Sequence, residues 1–199
     1  MIYTIGDSTC WIPLKSIPRV KTNLIFSSNP DEFGISAHTF ATKPEYVTKL
    51  VTSRFSKCTN KDYLIYFLGG VDCRITIATL LNETNDYISV IDYIAENMFK
   101  TISQIKLDIN ICMTDIVPIL KNYSYQCKLN QSIEEGLKYI KYFNFKKKEL
   151  SKKYNYLYVD VCDKYIDDEG YLLEEVSDHN IHIKDPIHYK EFFKQYMNY

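Results

Sequence analysis

Five short runs rich in β-branched and aromatic residues punctuate the chain, at Ile2–Ile5, Asn23–Ser27, Asp62–Leu68, Asp108–Met113 and Tyr156–Asp160. Runs of this length and composition read as strands. Between them, apolar positions recur at helical spacing over Pro44–Phe55, Tyr87–Ile105 and Ser132–Lys153. In the second segment Ile88, Ile91, Tyr93, Ile94, Met98, Ile102 and Ile105 fall near one face and predict a stripe that packs on a sheet. His188–Tyr199 reads as a closing helix. Strands alternating with helices imply right-handed crossovers and a mainly parallel sheet covered on both faces. The expected fold is therefore a three-layer α/β/α sandwich of flavodoxin-like type, with about five strands.

No long linker, internal repeat or low-complexity block divides the sequence, so residues 1–199 read as one domain, large enough for a substantial core. The connection after the first strand carries Pro13 and Pro18 and predicts only a brief helix or turn. Asp167-Asp168-Glu169-Gly170 predicts a turn after the fifth strand. Lys146, Lys147, Lys148, Lys152 and Lys153 cluster in one segment. Acidic neighbours and the lack of a base-stacking pattern make this a solvated helix face rather than a phosphate-binding patch.

Composition narrows the class without naming a chemistry. Hydrophobic residues are 46% and the formal net charge is −1, which favours neither nucleic acid nor an anionic membrane as partner. No stretch approaches the ~20 apolar residues of a membrane-spanning helix. The first residues lack the basic start and long apolar run of a secretory signal, which makes a reduced, cytoplasmic setting the expectation. Six dispersed cysteines form no C-x-x-C pair. Sequons at Asn82, Asn122 and Asn130 then read as chance matches. The excess of Lys, Asn, Ile and Tyr has the look of an AT-rich coding bias.

Candidate chemistry sits at the two ends of the chain. Gly6-Asp7-Ser8-Thr9 closes the first apolar run. Ligands of parallel-sheet folds gather beyond the carboxyl ends of strands, and Ser8 follows such an end. An unassisted hydroxyl is a weak nucleophile and needs a base. His182 lies between Ile181 and Ile183, just before Pro186 and the last helix. Asp178, four positions earlier, can orient its ring and stabilise the imidazolium.

This order of Ser, Asp and His resembles the SGNH (GDSL-type) hydrolases, in which the serine follows the first strand and Asp and His share a loop before the final helix. The usual D-x-x-H is D-x-x-x-H here, with His179 where the common Asp would stand. A subgroup with G-E-I-D-C-R and D-x-N-x-H motifs is more similar, and it assigns the orienting role to Asp178. Gly69-Gly70-Val71-Asp72-Cys73-Arg74 matches the block after the third strand, but Val71 stands where the family has an oxyanion-binding Asn, and Gly70 replaces the subgroup's Glu. The resemblance implies Ser8, His182 and Asp178 as catalytic residues, and Gly34, Gly70, Asp72 and Arg74 around the oxyanion and substrate. His38 and Thr39 are candidates for the pocket wall.

By the same resemblance, the expected activity is hydrolysis of an O-acyl ester, O-acetyl above all, on a carbohydrate or small metabolite. It needs no cofactor or metal. An O-acyltransferase with the same triad and a non-catalytic domain binding glycan or protein are the alternatives. Relatives of the variant subgroup occur beside sugar-modifying enzymes, including in large DNA viruses, for which the compartment would be the host cytoplasm. Two other chemistries compete. His179, His182 and His188 with Asp178 and Asp185 offer zinc-type ligands, and Cys10 or Cys73 offers a thiol nucleophile.

Overall fold

The computed structural model describes residues 1–6, 20–24, 35–122, 132–178 and 182–197. Five strands form one parallel sheet: β1 (Ile2–Gly6), β2 (Val20–Leu24), β3 (Tyr63–Phe67), β4 (Asn110–Thr114) and β5 (Leu157–Val159), in the order β2-β1-β3-β4-β5. Every neighbouring pair is parallel. The helices are α1 (Ala37–Thr42), α2 (Pro44–Phe55), α3 (Ile77–Thr84), α4 (Tyr87–Gln104), α5 (Ile133–Tyr154) and α6 (Ile187–Tyr196).

Alternation along β3 shows how the layers arise. Leu64, Tyr66 and Leu68 enter a core shared with Val47, Val51, Ile91, Met98 and Phe143 of α2, α4 and α5. Ile65 and Phe67 point the other way, into a second core with Tyr189 and Phe193 of α6. A strand buried on both faces is apolar at every position, as Leu64–Leu68 is. The predicted α/β/α sandwich is the fold observed.

The helix boundaries follow local chemistry. Pro44 opens α2 at a position where its missing N–H costs nothing. Asp86 caps α4 by accepting from Ile88 and Ser89 N–H. Ser132 and Glu135 form a reciprocal capping box on α5, and Asn155 ends that helix in a left-handed conformation.

Three expectations needed revision. The second strand lies at Val20–Leu24, three residues before the predicted start at Asn23. On α4, Ile88 and Tyr93 are exposed, and the buried stripe instead takes in Val90, Ala95 and Phe99. The closing helix ends at Tyr196. Among the described residues, no helix is long and apolar enough to cross a membrane.

Candidate active site

Before α6, the described residues on the two sides of positions 179–181 are tied together through their backbone. Ser177 and Ile183 form an antiparallel bridge, Asp178 N–H donates to His182 O at 3.0 Å, and Lys184 N–H donates to Val176 O at 2.9 Å. Residues four apart are thereby brought face to face. His182 Nδ1 lies 2.7 Å from Asp178 Oδ2, and the other oxygen of that carboxylate accepts the His182 N–H at 3.3 Å. Ile183, in the core, anchors the loop beneath the ring. The carboxylate places the imidazole proton on Nδ1, leaving Nε2 as an acceptor. That Nε2 is buried and has no hydrogen-bond partner among the described residues.

Ile183, which follows His182, packs in the same core as Phe67, the last residue of β3. Tyr189 shares that core, and the rings of Phe67 and Tyr189 are 6.0 Å apart. Gly6, the last residue of β1, is paired with Phe67. A side chain at Gly6 would put a Cβ 2.0 Å from the Phe67 carbonyl oxygen, so glycine is required there by the close approach of two strands. Ser8 and Gly34 lie outside the described residues, as do His179 and Cys10.

Beyond β3 the chain turns at Gly69, whose φ of +110° suits glycine, and becomes helical at Gly70. Gly70 N–H sits in the first turn, where helix geometry provides no intrahelical acceptor. Asp72–Thr76 then forms a turn of π-helix that leads into α3. Such turns widen a helix and gather at functional sites. Arg74 is half-buried within it. Asp72 is fully buried, and its carboxylate accepts Ala37 N–H at 2.8 Å and His38 N–H at 3.1 Å. It therefore caps α1 from across the molecule and ties the segment after β3 to the one that follows Gly34. The sequence offered no signal for this pairing.

The lysine cluster was misread at one position. Lys147 is fully buried, and its Nζ donates to Leu68 O at 2.8 Å. Lys146 and Lys148 behave as expected of a solvated face, pairing with Asp92 at 3.2 Å and with Asp160. One turn back on α5, Asn144 accepts Ile116 N–H at 2.6 Å and donates to Ile116 O at 3.0 Å. Below these, Asp115 accepts from Tyr158 Oη and Cys162 N–H. Burial, more than any neighbour, raises the Asp115 carboxyl above the usual range. The same cause holds the Cys162 thiol well above its ordinary value, which makes it a poor nucleophile.

Of the groups offered for metal or thiol chemistry, His182, His188, Asp178, Asp185 and Cys73 are described. His188 Nδ1 faces Glu191 at 2.9 Å while His182 faces Asp178, so the two imidazoles turn to different carboxylates. Among the described residues no three His, Cys, Asp or Glu side chains converge as metal ligands would. Cys73 is fully buried.

The described residues form an α/β/α sandwich with a His–Asp pair before the last helix, and solved structures share this fold. A GDSL-like lipase from Bacteroides thetaiotaomicron superposes with a TM-score of 0.67 at 12% identity, over 99% of this chain and 87% of that one. A protein assigned as an acylhydrolase from Bacteroides fragilis gives 0.65 at 12% identity, over 99% and 86%. A protein assigned as a platelet activating factor from Streptococcus pneumonia gives 0.60 at 16% identity, over 98% and 83%. The fold is that of the SGNH (GDSL-type) hydrolases. No protein-family model matches the chain, and no curated protein matches it in sequence.

Proposed function

We propose that the protein is a serine esterase acting on an O-acyl, chiefly O-acetyl, group of a carbohydrate or small metabolite. One observation carries this reading: His182 is held by Asp178 through Nδ1 while its Nε2 is buried without a partner among the described residues. Buried polar atoms are nearly always satisfied. Ser8, two residues beyond the end of β1, supplies the hydroxyl that this nitrogen serves. His182 takes the serine proton as Ser8 Oγ attacks the ester carbonyl. The tetrahedral oxyanion is met by backbone N–H groups of Gly34 and Gly70, with Arg74 contributing charge in place of the Asn that Val71 displaces. Collapse expels the alcohol, which takes its proton from His182. Water then attacks the acyl-serine by the same route, and an acceptor hydroxyl in place of that water would make the protein an O-acyltransferase.

Asp72 fits this scheme as a positioning residue, because both oxygens of its carboxylate are turned to the backbone of α1. The test is turnover of p-nitrophenyl acetate. Ser8→Ala and His182→Ala should each lower kcat on the order of 10⁶-fold, the loss typical of a triad nucleophile or base. Full activity in Ser8→Ala would remove the serine from the mechanism.

A further inference from the structure

Building on that reading of the site, we propose that Lys147 is a positioning residue for the oxyanion-binding turn at Gly69-Gly70. Lys147 stands on α5 between two lysines that reach surface carboxylates, yet its own side chain runs inward and is fully buried. Burying an amine is costly, and an apolar side chain of similar length would fill the space more cheaply. Besides its attraction to the neighbouring Asp115 carboxylate, the amine makes a directional contact: Nζ holds the Leu68 carbonyl at 2.8 Å. That carbonyl belongs to the peptide joining Leu68 to Gly69, the last plane before the turn.

The turn needs an external hold. Gly69 reaches a φ of +110° because it lacks a Cβ. The peptide after it is held where Gly69 O accepts Cys73 N–H at 2.9 Å, and the peptide before it is held by Lys147, so the two contacts together set the turn. Packing limits it from one side, since a Cβ on Gly69 would lie 2.6 Å from Ile116 Cδ1 and 3.3 Å from Phe143 Cε1. Ile116 is itself clamped by Asn144 through both backbone groups. Phe143, Asn144 and Lys147 thus form a brace on successive turns of α5, and Lys147 is the member that fixes the peptide plane. Gly70 N–H follows two bonds beyond Gly69 Cα. An oxyanion donor acts only when aimed at the position the oxyanion will occupy, so a loosened plane weakens transition-state binding and leaves ground-state binding intact.

The experiment pairs kinetics with inhibition in Lys147→Met and Lys147→Gln, with competent sites counted by fluorophosphonate burst titration. The expected result for Lys147→Met is a kcat per site lowered about tenfold or more, with KM within about twofold of wild type. The inhibition constant of a short alkylboronic acid, a tetrahedral mimic, should rise by a similar factor. Lys147→Gln, which keeps an N–H donor, should fall between. A variant that melts earlier but keeps wild-type kcat and boronate affinity would overturn the proposal, as would failure of both variants to fold, which assigns Lys147 to stability alone. If only one folds, its kinetics decide. Ser8→Ala is measured alongside: wild-type protein that shows no Ser8-dependent turnover refutes the esterase reading and takes the role of Lys147 with it.

Discussion

Asp178 grips His182 twice, through the ring nitrogen at 2.7 Å and through the backbone N–H at 3.3 Å. One carboxylate therefore sets the tautomer, the ring orientation and the loop that carries the ring. Asp178→Asn presents an amide to Nδ1 and no longer enforces the Nδ1–H tautomer. The expected outcome is a kcat for p-nitrophenyl acetate lower on the order of 10⁴-fold, a smaller loss than removal of Ser8 or His182. KM should change little, because the carboxylate faces the imidazole and not the substrate. A full-rate Asp178→Asn enzyme would show that the orienting group lies elsewhere.

Asp72 is expected to matter through the fold. Its carboxylate is shared between the N–H groups of Ala37 and His38 at the start of α1, and Thr101 Oγ1 donates to Phe40 O from the other side of that short helix. In Asp72→Asn one of the two backbone donors faces an amide NH₂. Leaving a buried donor unpaired costs about 1–3 kcal/mol, readable as a lowered denaturant midpoint with an unchanged slope. The KM of the folded variant should stay near wild type. A large rise in KM with unchanged stability would instead place Asp72 at the substrate, as the sequence resemblance implies.

These two residues show what was legible in the chain and what was not. Asp178 and His182 are only four apart, and their pairing could be anticipated from that spacing and from the family resemblance. The strands were readable because residues such as Leu64–Leu68 are buried on both faces and so are apolar throughout. Asp72 and Ala37 are 35 residues apart, and their pairing depends on how α1 folds back over β3, which no local pattern encodes. Lys147 was hidden by its neighbours: a lysine in a lysine run reads as solvated, and only the rotation of α5 turns this one inward. The shift of β2 toward Val20 has a similar origin, since the edge strand's bounds are set by its register with β1. Ser8 and Gly34 lie outside the described residues, and their roles are those the sequence resemblance implies.

Arg74 is the residue proposed to compensate for the altered third block. It sits half-buried in the π-helical turn that follows Gly70, where the widened backbone changes the direction of successive side chains. Val71 offers the oxyanion no side-chain donor, whereas a guanidinium is always charged and presents several N–H groups in a fixed fork. Arg74→Ala should lower kcat roughly 10²- to 10³-fold, the loss associated with one oxyanion donor. Arg74→Lys keeps the charge but loses the fork, so it should recover only part of that rate. Melting temperature separates this from a purely structural role: a residue that only anchored the turn would lower it in both variants and leave kcat of the folded protein near wild type. Unchanged kcat in both variants would mean that backbone donors such as Gly70 N–H carry the oxyanion unaided, and Arg74 would leave the active site.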